Sequence, residues 1–319
     1  MEPHAVPPAG SLRDFQLGER FPKKGVSILC KEPAVKYAVI EKAAGKLSVN
    51  RACKLMKVRR QGYYEYLSGR DSLRKTEDRQ LTAKIKNIFY ESNRIYGARK
   101  ILEELRKGGD RVSRKRVRRL MDAAELVPVS WRRSVHTTVS DPIATPFPNL
   151  LKQDFRVALP NHTWVSDFTY VPTDEGWLYL CTFIDLFSRR VVGWAVSNTI
   201  DRHLAIAAFR NAVANRHPGQ RLVIHTDRGC QYTSWDFRRE VASIGGIQSM
   251  SRPGTPYDNA CAETFFKTIK VECIGNAHFK TREEASDAIS RYLLFYNRLR
   301  IHQSLGYLSP VEFERLFAA

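Results

Sequence analysis

The sequence predicts a mixed α/β domain preceded by a basic, all-α region. Three observations support this: helical periodicity in the first 127 residues, three consecutive β-rich runs after residue 160, and alternating helix and strand patterns beyond residue 200. Three antiparallel strands followed by alternating helices and strands form one sheet of mixed direction with helices on its faces. With 319 residues, 43% of them hydrophobic, the chain is not of the disordered or collagen-like class.

The first part of the chain contains two pairs of predicted helices. Residues 1–35 are rich in Pro and Gly and indicate a flexible lead-in. Ser48 begins a helical pattern, which breaks near residue 58 and resumes through Leu67. In the second pair, Gly108-Gly109 ends one helix and Ser113 caps the next. Two short helices joined by a tight glycine turn are typical of a helix-turn-helix.

The excess of positive charge lies in this helical part. Residues 1–140 carry 32 Lys and Arg against 15 Asp and Glu, a net of +17, whereas residues 141–319 carry a net of +2. The helix after Ser113 has a basic face opposite its apolar face, which favours contact with DNA phosphates. An ordinary solvated helix face is the alternative. The candidate DNA-binding residues on this helix are Arg114, Lys115, Arg116, Arg118 and Arg119.

The second part of the chain reads as a sheet. WVSDFTYV, WLYLCTFIDLF and RRVVGWAVS follow one another with hairpin-length connections, including a turn at Thr173–Gly176. A helix over about 201–215, the strand RLVIHTD, a helix over about 234–244 and a short strand at Ile247–Met250 come next. The loop SRPGTPYDN precedes a helix that begins near Asn259. The predicted organisation is a lead-in over 1–35, a helix-turn-helix DNA-binding region over 36–127, a linker over 128–155, and a catalytic core with a C-terminal helical tail over 156–319.

Three carboxylates stand where this topology would expose them. Asp167 lies within the first strand, Asp227 closes the fourth, and Glu263 falls in the first turns of the helix after the Pro/Gly loop. If the first and fourth strands are neighbours, the two aspartates are adjacent and the helix brings Glu263 over them. Such a group favours a hard cation such as Mg²⁺. The alternative is that each acid caps or pairs locally.

The spacing of these acids resembles that of a known family. Asp227 and Glu263 are separated by 35 residues, and they lie within WVSDFTYV, HTDRGCQYTS and SRPGTPYDNACAETFFKTIKVE. These strings resemble the D-D-35-E core of insertion-sequence transposases related to retroviral integrases, and the chain is similar to the OrfB product of two-frame bacterial elements. FYNRLRIHQSLGYLSPVEF and YGARKILEELRKGG resemble that family's C-terminal end and helix-turn-helix. The resemblance covers roughly residues 36–316 and rests on several ordered motifs.

The resemblance implies a fold, a reaction and partners. The fold is an RNase-H-like sheet in which Asp167, Asp227 and Glu263 are the catalytic acids and bind metal, Mg²⁺ or Mn²⁺, as two ions. The reaction is DNA strand cleavage and strand transfer. The implied partners are DNA (element ends and target), an OrfA protein or an OrfA–OrfB fusion, and further copies of the chain on DNA.

Other residues near the motifs receive secondary roles. Lys267 and Lys270 share a helix face with Glu263, and in similar enzymes basic residues there touch the DNA end; charge balance with Glu263 and Glu272 is the alternative. His225 lies on the same strand face as Asp227 and could support the metal ligands or be structural. Asn259, one helical turn before Glu263, and Asp185, at a strand end, are expected to support the site.

Some features depart from the family pattern or bear on location. Cys230 stands where a small polar residue is expected, and the six cysteines lack zinc-ligand spacing. ERFPKKGVSILCKEP is similar to the end of the OrfA frame. No apolar run is long enough to span a membrane, so a cytoplasmic, nucleoid-associated location is expected. Two alternatives stay open: a DNA-binding regulatory subunit that is inactive without OrfA, and a general RNase-H-like nuclease.

Overall fold

The computed structural model describes residues 33–45, 47–68, 73–129, 147–252, 256–275 and 277–317. The chain divides into two compact units, one ending at Leu81 and one beginning at Thr82. No helix in these ranges is both long and apolar enough to cross a lipid bilayer. The predicted flexible lead-in falls outside the described residues up to residue 32, as does the predicted linker over 130–146.

The helices and strands that the sequence predicted occur in the predicted order, whereas the helices Pro33–Lys42 and Leu73–Glu91 were not predicted. The helices are α1 (Pro33–Lys42), α2 (Val49–Leu55), α3 (Arg60–Leu67), α4 (Leu73–Glu91), α5 (Ala98–Lys107), α6 (Arg114–Ala123), α7 (Arg202–Arg216), α8 (Cys230–Thr233), α9 (Trp235–Ser243), α10 (Ala260–Ile269), α11 (Arg282–Arg298) and α12 (Pro310–Phe317). The strands are β1 (Thr163–Thr173), β2 (Gly176–Asp185), β3 (Val191–Ser197), β4 (Val223–Thr226) and β5 (Ile247–Met250).

The first unit contains α1 to α3 around a small apolar core. The core consists of buried side chains that recur at helical spacing. Each short helix is stabilised mainly by burying one of its faces. The buried members are Ile40, Ala52, Cys53, Met56 and Tyr63. Ser48 lies at the N-terminus of α2 as predicted, but its side chain makes no capping hydrogen bond.

Helices α5 and α6 confirm the predicted helix-turn-helix pair. Each buries one apolar stripe, and a basic face is left on the other side of α6. The Ser113 hydroxyl accepts a hydrogen bond from the backbone N–H of Arg116 at 3.2 Å, the expected N-cap. Gly109, after α5, has a φ of +85°, a conformation that glycine adopts without a steric penalty.

The sheet confirms the predicted mixed fold. Its five strands lie in the order β3-β2-β1-β4-β5. Strand β2 is antiparallel to both β1 and β3, whereas β4 is parallel to β1 and β5 is parallel to β4. This is the RNase-H-like arrangement that the resemblance implies. Helix α7 packs closely on β3, since a Cβ atom built at Gly193 would collide with the backbone of Ala212. Aromatic residues of α7, α8 and α9 fill the adjacent core, with Phe209, Tyr232 and Phe237 all buried.

The segment just before the sheet packs along the edge strand β5. The backbone N–H of Leu150 donates to the hydroxyl of Ser249 at 2.9 Å, and the N–H of Met250 donates to the carbonyl of Pro148 at 3.4 Å. The sequence prediction placed residues 147–155 in a linker, yet Pro148 and Leu150 cover the edge of the sheet. This contact provides partners for backbone groups that a free edge strand would expose.

The C-terminal tail is held on the core by polar contacts. Glu314 of α12 accepts hydrogen bonds from Ser188 at 2.8 Å, Arg190 at 2.6 Å and Arg216 at 2.9 Å. Asp185, the acid at the end of β2, is fully buried and lies 3.5 Å from Arg216. Its carboxylate also accepts from the backbone N–H of Asn161 at 2.7 Å, so Asp185 serves this network in the structure.

Candidate active site

Asp167 and Asp227 lie at neighbouring positions on two parallel strands. Strand β1 pairs with β4 so that Val165 is opposite His225. Because side chains alternate along a strand, two further residues in each strand bring Asp167 opposite Asp227 on the same face. Both side chains are half-buried. The adjacency of the first and fourth strands, on which the prediction depended, is therefore present.

Local backbone donors hold both carboxylates. Asp167 Oδ1 accepts from the N–H of Phe168 at 2.8 Å, and Asp227 Oδ1 accepts from the N–H of Gly229 at 3.0 Å. A Cβ atom at Gly229 would lie 3.1 Å from Asp227 Oδ1 and 2.7 Å from a side-chain oxygen of Gln231. Glycine at this position therefore allows the chain to turn closely around the Asp227 carboxylate.

The two aspartates are electrostatically unfavourable together. Burial, together with the charges of Asp227 and Glu263, raises the pKa of Asp167 to about 8, against the opposing effects of the Phe168 N–H and the Lys270 ammonium. Burial also raises the pKa of Asp227, against the hydrogen bond from Gly229. Like charges in a partly dehydrated site disfavour ionisation of both groups. A positive charge beside the two carboxylates would therefore be electrostatically favourable.

Glu263 lies close enough to Asp167 to influence its charge, but its carboxylate is paired elsewhere. Glu263 is in the first turn of α10, and its Oε2 lies 3.3 Å from Nζ of Lys267. Within the described ranges, no three His, Cys, Asp or Glu side chains are grouped closely enough to hold a metal ion. Glu263 is thus near enough to affect the charge of Asp167, while its carboxylate pairs with Lys267.

Lys270 faces the aspartates more directly than Lys267 does. Its Nζ lies 4.9 Å from the centre of the Tyr170 ring, and burial lowers its pKa, although the charge of Asp167 opposes this. Helix α10 ends at Ile269 and continues as a wider π-helical turn over Lys270–Ile274. Lys270, the first residue of this turn, contacts β1 through Tyr170, whereas Lys267 is exposed and pairs with Glu263.

Asn259 and Tyr232 both form hydrogen bonds with Ser166, the residue before Asp167 on β1. The Asn259 amide donates a hydrogen bond to the backbone carbonyl of Ser166 at 3.3 Å, next to Asp167. The Ser166 hydroxyl lies 2.7 Å from the phenol oxygen of Tyr232, which is fully buried. Tyr232 thereby ties the turn after Asp227 to the strand that carries Asp167. The sequence analysis did not select Tyr232, although it lies within the HTDRGCQYTS motif.

His225 contacts the loop that leads to α10 rather than a carboxylate of the site. Its Nδ1 lies 2.8 Å from the hydroxyl of Ser249, and its Nε2 lies 3.2 Å from that of Ser251. Burial lowers the pKa of His225 to about 4, although Asp258 opposes this. The neutral ring therefore joins β4 to β5 and to the following loop.

Asp258 is an acid near the site that the sequence analysis did not select. It is fully buried and accepts hydrogen bonds from the Arg252 backbone at 2.9 Å and from the Gln153 amide at 3.0 Å. Burial alone would raise the pKa of Asp258, but these bonds and the charge of Arg252 lower it to about 2. The PYDN string was the signal that could have drawn attention to it.

The basic face of α6 lies in the same unit as the carboxylates. Arg114 and Lys115 are exposed in its first turn, and Arg116 is half-buried. Arg118 lies 3.9 Å from Asp122 in an exposed ion pair. The buried stripe of Val117, Leu120 and Met121 faces the other way, as the periodicity predicted.

Comparison with protein families gives two matches to the sheet region and one to the helical region. Models of the integrase core domain match residues 158–256 and 246–310, and the HTH-like domain model matches residues 75–134. The first and second matches include all three predicted acids. The third includes α5 and α6.

Two curated relatives match most of the chain. The transposase for insertion sequence element IS904 of Lactococcus lactis is 40% identical over 247 residues, 77% of this chain and 98% of its own length. Transposase InsF for insertion sequence IS3A of Escherichia coli is 37% identical over 291 residues, 88% of this chain and 98% of its own length. Among solved structures, the HTLV-2 integrase catalytic core domain in complex with magnesium is 22% identical, with a TM-score of 0.36, and covers 46% of this chain and 93% of that one.

Proposed function

Because the chain belongs to the insertion-sequence transposases with an integrase core domain, we propose that it catalyses metal-dependent DNA strand cleavage and strand transfer at Asp167, Asp227 and Glu263. The observation that carries the proposal is the half-buried aspartate pair on β1 and directly after β4, whose pKa values are raised by burial and, for Asp167, also by the charge of Asp227. DNA is the partner that a transposase with an HTH-like region requires. Membership of the family is the premise, and the chemistry is the proposal.

The donor set fits a hard divalent cation. Asp167, Asp227 and Glu263 offer only carboxylate oxygens, the ligands that Mg²⁺ and Mn²⁺ prefer. A cation beside two adjacent carboxylates would remove the repulsion that raises the pKa of Asp167. Held by Asp167, Asp227 and Glu263, such ions would supply activation of the attacking oxygen and stabilisation of the leaving oxygen in an in-line displacement at phosphorus. Magnesium in the HTLV-2 integrase core is consistent with this choice.

The remaining residues position these groups and the DNA. Gly229 and Phe168 orient the aspartates through their backbone N–H groups. Lys270 adds positive charge beside Asp167, where a DNA phosphate would bring negative charge. On α6, Arg114 and Lys115 extend from an exposed face suited to phosphate contact. His225 and Asn259 hold the strands and helix that carry the acids.

The test is strand transfer on the element's own DNA ends in Mg²⁺, with Asp167→Asn, Asp227→Asn and Glu263→Gln. Each variant should lose transfer by at least about a thousandfold while retaining DNA affinity, because the lost groups act on the reacting phosphate rather than on binding. Asp287→Asn, at an exposed site on α11, is the matched control and should react like the unaltered chain. Near-normal transfer by any of the three variants would refute the assignment.

A second candidate, a DNA-binding regulatory subunit that acts only with an OrfA partner, is favoured by the Glu263–Lys267 ion pair. While that pair persists, Glu263 is not directed at the two aspartates. Nicking of a supercoiled plasmid in Mg²⁺, with and without OrfA, separates the candidates. Nicking by the chain alone supports the complete enzyme, and nicking only after OrfA is added supports the subunit. We also propose that the chain acts on DNA as a homo-oligomer.

The DNA role of α6 has its own test. Arg114→Gln with Lys115→Gln should weaken DNA binding and lower the slope of log affinity against log salt by about 2, since each phosphate contact contributes about 0.9. Lys280→Gln with Arg298→Gln removes the same charge from exposed sites elsewhere and is the control. An unchanged slope in the α6 variant would contradict this role.

A further inference from the structure

A basic cleft lies next to the carboxylate site, at the end of β4 and β5. Its volume is about 580 Å³. The residues that line it are Phe147, Pro148, Asn149, Lys152, Arg228 and Arg252. Arg228 directly follows Asp227, and Arg252 begins the loop that leads to the helix of Glu263. The cleft is therefore lined by residues close in the chain to Asp227 and to the helix of Glu263.

The charge of the cleft is strongly positive. Within the described residues, neither the Lys152 ammonium nor the terminal nitrogens of Arg228 have a hydrogen-bond partner, and the Arg228 Nε donates to the carbonyl of Ser251 at 2.8 Å. Arg252 is opposed by Asp258, which is fully buried and 3.3 Å away. Among the described residues that line the cleft or pair with its cations, three cations stand against one buried carboxylate, which leaves an excess charge that an anion can balance.

The fixed arrangement of these groups suits a phosphodiester. The bond from Arg228 Nε to the Ser251 carbonyl, and the contacts of Arg252 with Asp258, hold both guanidinium groups at their inner edge. Arginine presents parallel donors that match phosphate oxygens, and holding it in place lowers the entropy lost on binding. Phe147 and Pro148 supply an apolar wall that can cover a sugar or a base edge, and the Phe147 ring is itself held by Arg238 at 4.9 Å.

We propose that Lys152, Arg228 and Arg252 bind the sugar-phosphate backbone of DNA immediately beside the carboxylate site. This proposal rests on the proposed function, because it names a surface used by the same DNA. The chemistry is shared by two sources of DNA, the element end and the target, so the test includes both. The segment that carries Lys152 packs on β5 and forms one wall of the cleft.

The experiment measures equilibrium DNA binding by fluorescence anisotropy in EDTA. One labelled duplex carries the element's terminal sequence and the other has an unrelated sequence. Arg228→Gln with Arg252→Gln should lower affinity by about tenfold and reduce the salt slope by about 2. Arg221→Gln with Arg291→Gln is the matched control. Arg221 is exposed just before β4, at the opposite end of that strand from Arg228, and Arg291 is exposed on α11.

Each outcome decides the proposal. Loss on both duplexes supports a shared phosphate contact, loss on the terminal duplex alone assigns the cleft to the element end, and loss on the unrelated duplex alone assigns it to the target. Affinity and slope equal to those of the control on both duplexes would overturn the proposal. Lys152→Gln, whose side chain has no partner within the described residues, gives an independent reading if the arginine variants fold poorly.

Failure of the proposed function would be recognised separately. Binding in EDTA needs neither metal nor cleavage. The effect of the arginine variants on DNA affinity can therefore be measured even if the chain does not catalyse strand transfer. Conversely, if the unaltered chain transfers strands and the arginine variants bind DNA normally, only the cleft assignment fails.

Discussion

The side-chain amide of Asn259 donates a hydrogen bond to the backbone carbonyl of Ser166 across 3.3 Å. Ser166 directly precedes Asp167, and Asn259 directly precedes the helix of Glu263. The bond thus links the strand of the first acid to the helix of the third, although 93 positions separate the two residues. It fixes how closely Glu263 can approach the aspartate pair.

Asn259→Ala should slow strand transfer by about tenfold to a hundredfold with little change in DNA affinity. The physical reason is that small displacements of a group that acts on the reacting atoms are costly to rate. The measurement is single-turnover strand transfer beside DNA binding. Asn211→Ala is the control. The side-chain amide of Asn211, on α7, donates a similar hydrogen bond to the Trp194 carbonyl at 3.0 Å. An equal loss in both variants would mean that the effect is general destabilisation.

The metal-free protein should become less stable as pH rises from about 4 to about 8. The ordinary pKa of an aspartate, 3.8, applies to Asp167 in the unfolded chain, whereas its pKa in the folded protein is about 8. Between these values the folded state retains a proton that the unfolded chain has released. Asp167→Asn should remove that dependence and melt several degrees higher than the unaltered chain at pH 8, with a smaller difference at pH 5. Thermal melts in EDTA across this range measure it.

Divalent metal provides the complementary arm of this experiment. Added Mg²⁺ should raise the melting temperature of the unaltered chain at pH 8 and have less effect on Asp167→Asn, because bound cation favours the ionised pair. Asp287→Asn, exposed on α11, should behave like the unaltered chain throughout. A pH dependence that survives in Asp167→Asn would contradict the assignment of the titration to the aspartate pair.

Tyr96 joins the helical region to the C-terminal tail of the core. Its phenol donates to the carbonyl of Leu299 at 3.0 Å and accepts from the buried N–H of Ile301 at 2.9 Å. Tyr96→Phe should lower the free energy of unfolding by about 1–3 kcal/mol, since it leaves the Ile301 N–H without its partner. Denaturant titration measures the change. Tyr90→Phe, at an exposed position on α4, is the control, and an equal effect there would contradict the account.

The Glu314 network predicts a large loss of stability on substitution. Glu314→Gln removes the charge that balances Arg190 and Arg216, and breaking a buried pair costs about 3 kcal/mol. Its pKa is lowered by these bonds despite burial, so this contribution is present at neutral pH and is lost in acid, opposite in sign to that of Asp167. Unfolding in urea measures it. Asp122→Asn breaks an exposed pair and should have little effect.

The sequence predicted the elements because their periodicities and caps are local. The hairpins of β1 to β3 and the Ser113 cap follow from apolar patterns and connection lengths, whereas the adjacency of β1 and β4 was only a condition of the site prediction and is supplied by the structure. The contacts of Tyr96, Asn259 and Glu314 could not be predicted, because they join residues far apart in the chain. The position of residues 147–152 on β5 was missed for a related reason: Pro and Ser composition indicates a linker and carries no signal for edge-strand packing.

The pairing of Glu263 with Lys267 illustrates what spacing leaves open. Helical periodicity places the two side chains on one face, which is compatible both with a shared DNA surface and with a local ion pair. The structure shows the ion pair at 3.3 Å. Only the positions of surrounding charges decide between these arrangements, and DNA or metal would alter those charges.

The most direct test of the carboxylate site is anomalous X-ray diffraction from crystals soaked in Mn²⁺. The account predicts an anomalous peak between the carboxylates of Asp167 and Asp227, absent from crystals of Asp227→Asn. Strong Mn²⁺ peaks elsewhere in a protein that is active in strand transfer, with none beside this pair, would contradict the central claim.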